Sequence, residues 1–134
     1  MTALTLEAKV EELTRTDGRY STDAYHFVFE ALDYALQERH RQRSTRHVGV
    51  LELLDAIRRL ALDQFGPLAR CVFESWGVYE TEDFGEVVFN LVQNDLLNQS
   101  DGDRKEDFRG GYSFREVFEE SYRPRVKIDD PTAL

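Results

Sequence analysis

His26 and Glu30 stand four residues apart in a stretch with helical periodicity, so one helical turn puts an imidazole and a carboxylate on the same face. That spacing lets both groups approach one metal ion or one reacting atom. Two ligands do not complete a metal centre, and His40 and His47 belong to a run whose arginines repel a cation. The plainer expectation for His26 is a partly buried position with one hydrogen bond. Cys71, the only cysteine, lies between Arg70 and Val72 with no Gly-rich elbow or helix N-terminus to lower its pKa, and is expected to be a semi-buried structural thiol. Asp101, Asp103, Glu106 and Asp107 offer oxygen ligands, but they lack the residue order and the later bidentate Glu of a calcium loop, so a solvated acidic surface is expected. No Gly-x-Gly-x-x-Gly, Walker A or His-Glu-x-x-His string occurs. No catalytic residue, metal ligand or cofactor is therefore assigned, and an enzyme or metal-binding site near His26 and Glu30 stays as the alternative.

Binding chemistry is better represented. From Arg39 to His47 the chain carries four arginines (Arg39, Arg41, Arg43, Arg46) and two histidines with no acid, the one basic patch in the sequence. It suits an acidic protein surface or, more weakly, RNA, because aromatic residues that would stack on bases are not interleaved with it. Aromatic rings abound elsewhere, with nine Phe, six Tyr and one Trp. Most are expected to build the core, whereas Tyr79, in a turn, and Phe89, off the apolar stripe of its helix, are candidates for an exposed contact surface. The candidate interaction residues are thus Arg39, Arg41, Arg43, Arg46, His47, Tyr79 and Phe89, and the expected partner is another protein or a second copy of the chain.

These residues must be positioned by helices. Thr5 caps a short amphipathic segment carrying Leu6, Val10 and Leu13, and Asp17-Gly18 ends it. A second helix starts at Ser21 or Thr22 as cap and runs to about His40, with two apolar stripes: Ala24, Phe27, Val28, Ala31, Leu32 and Ala35 on one, Tyr25, Phe29 and Leu36 on the other. Two stripes indicate a central helix contacted from both sides. Val50 to Phe65 forms a third, which Gly66-Pro67 stops. A fourth, Pro67 to Trp76, is expected to bury Leu68, Val72 and Trp76 on one face with Ala69 and Phe73 beside them, and ends at Gly77; positive φ is expected at both Gly66 and Gly77. Thr81 is read as the cap of a fifth helix reaching about Leu97, with Phe84, Val87, Val88, Leu91 and Val92 on its core face. Residues 98–111 read as a mobile or ligand-ordered loop, and Ser113 caps a short helix from Phe114 to Tyr122.

The sum is an all-α, compact single domain of five or six helices over residues 1–122, with 123–134 as a loosely ordered tail or a short edge strand. At 134 residues and 41% hydrophobic content the chain has the apolar surface for one core, which excludes global disorder. No run of about 18 apolar residues marks a membrane span, and the first residues lack signal-peptide character, so cytoplasmic location is expected. The net charge of -9 opposes non-specific nucleic-acid binding. It is concentrated after residue 73, where seven basic side chains face fifteen acidic ones, against ten and eleven before. The join of the fourth and fifth helices has the outline of a helix-turn-helix, but Glu82, Asp83 and Glu86 would face phosphates, which argues against DNA.

Three blocks carry a resemblance. They are Arg19-Tyr20 with Ala24 to Val28, His47-Val48 through Ala56-Ile57-Arg58 to Gln64-Phe65-Gly66-Pro67-Leu68-Ala69, and Ser75-Trp76-Gly77-Val78 to Thr81 through Val92, continuing into Asp103 to Phe108. Over roughly residues 19–118 they resemble an uncharacterised bacterial family of conserved hypothetical proteins known from planctomycetes and verrucomicrobia, a resemblance that implies no activity. A weaker likeness is to the N-terminal helical domain of Clp-type unfoldases, which binds adaptors and substrates. It rests on Ala31 to Leu36, His47-Val48-Gly49, Glu52-Leu53-Leu54 and Trp76-Gly77-Val78, and covers one helical unit where that domain has two.

Overall fold

Thr5 opens the first helix as expected: its hydroxyl accepts the backbone N–H of Ala8 at 3.1 Å, satisfying one donor of an otherwise unpaired first turn. The computed structural model describes residues 5–41, 48–98 and 103–120, the side chains of 39–41 excepted. Among the described residues the structure is all-α, with five α-helices and no strand. They are α1 (Leu6–Thr16), α2 (Thr22–Arg41), α3 (Val50–Phe65), α4 (Ala69–Ser75) and α5 (Thr81–Gln93). Short 3₁₀ turns at Gly66–Leu68 and Lys105–Phe108 and a π-helical turn at Arg115–Glu120 complete the described fold. The expected tail or edge strand at 123–134 lies outside the described residues.

The two-stripe pattern of α2 has its predicted consequence. This helix packs against α1 on one flank, α3 on another and α5 on a third, and Ala24, Tyr25, Val28 and Ala31 are fully buried. Ser21 takes the cap position, with its carbonyl accepting the Ala24 N–H at 3.1 Å, but its hydroxyl makes no cap bond and is buried without a partner among the described residues. Helix α3 buries Val50, Leu53, Leu54, Ala56, Ile57 and Ala61.

Both predicted glycine hinges are left-handed, Gly66 at φ 55° and Gly77 at φ 89°. At Gly77 the α4 end is closed by two backbone bonds, Gly77 N–H to Glu74 O (3.0 Å) and Val78 N–H to Phe73 O (2.9 Å), the pairing of a Schellman motif. A Cβ there would lie 1.9 Å from the Arg19 carbonyl oxygen, so the turn before α2 and the end of α4 touch only because residue 77 has no side chain.

Four expectations about the fourth and fifth helices are corrected. The Gly66–Leu68 turn is 3₁₀ and shifts the rotation of α4, so Leu68 is 63% exposed and Val72 only half-buried, while Ala69 and Phe73, expected beside them, are buried and make the core face. Trp76 is half-buried, packed against Phe27, Phe65 and Phe73 at the edge of the core. The residue at the cap of α5 is Glu80, and the Asp83 carboxylate accepts the N–H groups of Tyr79 (2.8 Å) and Glu80 (3.2 Å). Thr81, the expected cap, is instead buried, since its hydroxyl is needed elsewhere. Finally, α5 stops at Gln93 rather than Leu97, because Asp95 adopts φ 59° and the Leu96 N–H turns back onto Leu91 O at 2.9 Å. Asp tolerates the left-handed region better than most residues, which makes a glycine-free stop workable.

Of the segment 98–111, expected to be a mobile or ligand-ordered loop, residues 103–111 are anchored to α5 through Phe108; residues 99–102 lie outside the described residues. Phe108 is buried against α5, where Gly85 leaves room: a Cβ on Gly85 would come within 2.9 Å of the Phe108 Cβ and 3.0 Å of the Lys105 carbonyl oxygen. The Thr81 hydroxyl donates to Phe108 O at 2.5 Å and accepts the Gly111 N–H at 3.1 Å. After it, Tyr112, Phe114 and Phe118 fold over Phe73 and Phe84, closing an aromatic cluster centred on Phe73.

Candidate functional site

The helices that close the aromatic cluster at one end leave an opening at the other. On α2 the successive positions Phe29, Leu32 and Leu36 form one wall, and on α5 Val88, Phe89 and Val92 form the facing wall. Val48 to Val50 and Leu53, at the start of α3, close one side. Leu97, brought back by the Asp95 turn, and Asp103 to Lys105 also line the opening, with Phe108 and Gly85 contributing. The result is an open, mainly apolar groove of about 470 Å³. Its volume is within the range of sites that hold a ligand, roughly 300–1,000 Å³. Leu36, on the rim, is 46% exposed, and Leu51, beside Val50, is 78% exposed.

The charged groups at the groove differ in how they are held. Asp33 accepts the Gln37 side-chain amide at 3.0 Å. Lys105 Nζ sits 3.2 Å from Glu86 Oε1 and 4.9 Å from the centre of the Phe89 ring, a cation–π contact that also holds Phe89 in the wall. Arg104 is exposed; its backbone N–H donates to Asp107 at 2.8 Å, fixing the turn on which its side chain stands.

Behind Glu86 runs a polar network that locks α1, the start of α2 and α5 together. Arg19 donates to both oxygens of Asp17 (2.7 Å from Nη2 to Oδ2) and reaches Glu86 at 3.4 Å. The Asn90 side chain donates to Asp17 Oδ2 and to the Tyr25 hydroxyl, each at 3.0 Å, and the Tyr20 hydroxyl donates to Asp83 at 2.7 Å. The Arg19 hydrogen bond holds the Asp17 carboxyl far below the usual range, and Asp17 in turn holds Arg19 more firmly protonated. Burial, then the bond to Asp83, pushes the Tyr20 hydroxyl up, and burial does the same for Tyr25. Every group here has a structural partner, so the network positions helices and leaves the phenols protonated at neutral pH.

The residues singled out by type and spacing divide clearly. His26 is exposed, not partly buried, because it lies on the face of α2 opposite the core, and Glu30 is exposed with its carboxylate accepting the Gln64 amide at 3.1 Å. No group of three or more metal-ligating side chains occurs among the described residues. Cys71 is exposed rather than semi-buried, since the rotation that puts Ala69 and Phe73 inside turns it outward. Of the acidic string, Asp107 caps the Lys105–Phe108 turn and Asp103 lines the groove; Asp101 lies outside the described residues. The side chains of Arg39 and Arg41, and all of Arg43, Arg46 and His47, also lie outside them. Tyr79 is 64% exposed on the turn before α5 and does not line the groove, whereas Phe89 does. Arg104 and Lys105 are not among the residues the sequence singles out as candidates, and Leu36 enters only as part of the second stripe of α2. The second stripe of α2 and the off-stripe Phe89 are the signals for the two walls.

The chain matches no protein-family model, no curated protein and no solved structure. No described helix is long and apolar enough to cross a membrane.

Proposed function

We propose that this chain is a non-catalytic protein-interaction module whose groove between α2 and α5 receives the apolar face of a helix from a partner protein. The observation that carries this is the pair of facing stripes, Phe29, Leu32 and Leu36 against Val88, Phe89 and Val92, over which no described helix is laid. Side chains three, four and seven apart make the ridges into which another helix packs, and rings at the centre of such a surface supply most of the binding energy. The basic run Arg39 to His47 supports the same reading as a steering element, since rim charges act mainly on association rate. Replacing Arg39, Arg41, Arg43 and Arg46 by Ser should slow capture of an acidic partner in a salt-sensitive way. Retained protein binding together with loss of bound RNA would favour a nucleic-acid role instead.

The test is selection of helix-length peptides from a displayed random library on the full chain. Bound peptides should share apolar residues at helical spacing and be lost on a Leu36→Glu variant; peptides that bind this variant equally well would refute the groove as the site. A second copy is the other occupant with support on the molecule, because Leu51 stands exposed beside the groove. Light scattering at rising concentration separates the two: a dimer abolished by both Leu51→Ser and Leu36→Glu would assign the groove to self-association.

A further inference from the structure

The lining of the groove holds four charged side chains, and their partners are unequal. Asp33 is bound by Gln37, Lys105 is held between Glu86 and Phe89, and Asp103 is engaged. Arg104 lines the same groove, is exposed, and pairs with no carboxylate among the described residues. It is nonetheless anchored at its base. Its own N–H is bound by Asp107, the next residue is pinned to Glu86, and Phe108 is tied to Thr81 and seated under Gly85. A cation on a fixed turn loses less freedom on pairing than one on a loose loop, and a guanidinium presents a planar fork matched to a carboxylate. The walls are helical ridges, and no strand edge exists among the described residues to pair with an extended peptide.

Resting on the groove as the binding site, we infer that its occupant is an amphipathic helix carrying an Asp or Glu beside its apolar face, whose carboxylate pairs with Arg104. The apolar stripe then supplies affinity and Arg104 fixes the register of the helix along the groove. A helix with a basic residue at that position is rejected by like charge.

The probe is the same displayed peptide library, sorted in parallel on the wild-type chain and on Arg104→Glu, Arg104→Ser and Leu36→Glu, each checked for helical content. Wild type should enrich apolar residues at helical spacing with an acid at one fixed offset. Arg104→Glu should keep the apolar pattern and replace the acid with Lys or Arg, and Arg104→Ser should lose the charge preference without inverting it. In the best peptide, changing that acid to its amide should weaken binding to wild type about tenfold and leave binding to Arg104→Ser unchanged. Identical peptide sets on wild type and Arg104→Glu would overturn the pairing while leaving the groove intact, provided Leu36→Glu still abolishes binding. Peptides indifferent to Leu36→Glu, or no helical binders at all, would overturn both.

Discussion

Along α2 and α5 two apolar regions lie side by side and are finished in opposite ways. Toward α4, Phe27 and Phe84 meet Phe73, and the segment from Tyr112 to Phe118 folds over them, so that Phe73 touches five other rings and is fully buried. Further along the same helices, Phe29, Leu36, Phe89 and Val92 line an open groove. Helical periodicity produces both stripes, but among the described residues only one has a covering segment. Apolar surface left in contact with water costs the chain stability that burial would supply, so the first region accounts for the fold and the second is the face that the proposed helical partner would cover.

The sharpest way to break this contrast is to remove the centre of the closed region. Phe73→Ala should cost about 3–5 kcal/mol in urea unfolding, and a cost near zero would show that the rings are not the core. Next comes Gly77→Ala, which should cost at least about 2 kcal/mol, since it adds a left-handed strain and a clash with the Arg19 carbonyl. Thr81→Val should cost about 1–3 kcal/mol by leaving the Phe108 carbonyl and Gly111 N–H unpaired. Hydrogen exchange should show the opening confined to 103–111, the segment that walls the groove. Acid dependence is smaller. Because Asp17 has a depressed folded pKa, its contribution is present above the unfolded value of about 3.9 and is lost as pH falls below it toward the folded value. Solvent screening of the partly exposed pair keeps this under about 1 kcal/mol. Asp17→Asn should flatten that part of the acid unfolding curve. Smallest of all, Leu36→Glu on the groove rim should stay within about 0.5 kcal/mol of wild type. A large loss there would move Leu36 into the core and dissolve the distinction between the two regions.

How much of this is legible in the sequence depends on whether the cause is local. The caps, the glycine stops and the helical periodicity are local, and the helices of Leu6–Thr16, Val50–Phe65 and the long Thr22–Arg41 follow from them. The rotation of α4 is not legible, because it depends on a 3₁₀ turn at Gly66–Leu68 that Gly-Pro signals only as a break. The Glu80–Asp83 cap escapes sequence reading because a carboxylate three residues on competes with a threonine whose hydroxyl has a tertiary partner 27 residues away. The packed state of 103–111 likewise rests on one ring, one hydroxyl and one missing Cβ drawn from α5. His26 and Cys71 are misplaced toward the interior because apolar neighbours in sequence are not neighbours on the helix face. The groove itself needs α2 and α5 side by side, and no spacing within either helix encodes that juxtaposition.

The central claim, that the open stripe is kept for a helical partner while the closed one holds the fold, is tested most directly by amide chemical-shift mapping of a library-selected peptide on the full chain. The perturbed residues should be Phe29 to Leu36, Val48 to Leu53, Val88 to Leu97 and Asp103 to Lys105, with Phe73, Phe114 and Phe118 unmoved. Shifts centred on Leu68, Cys71 or Tyr79, with the groove unperturbed, would contradict it.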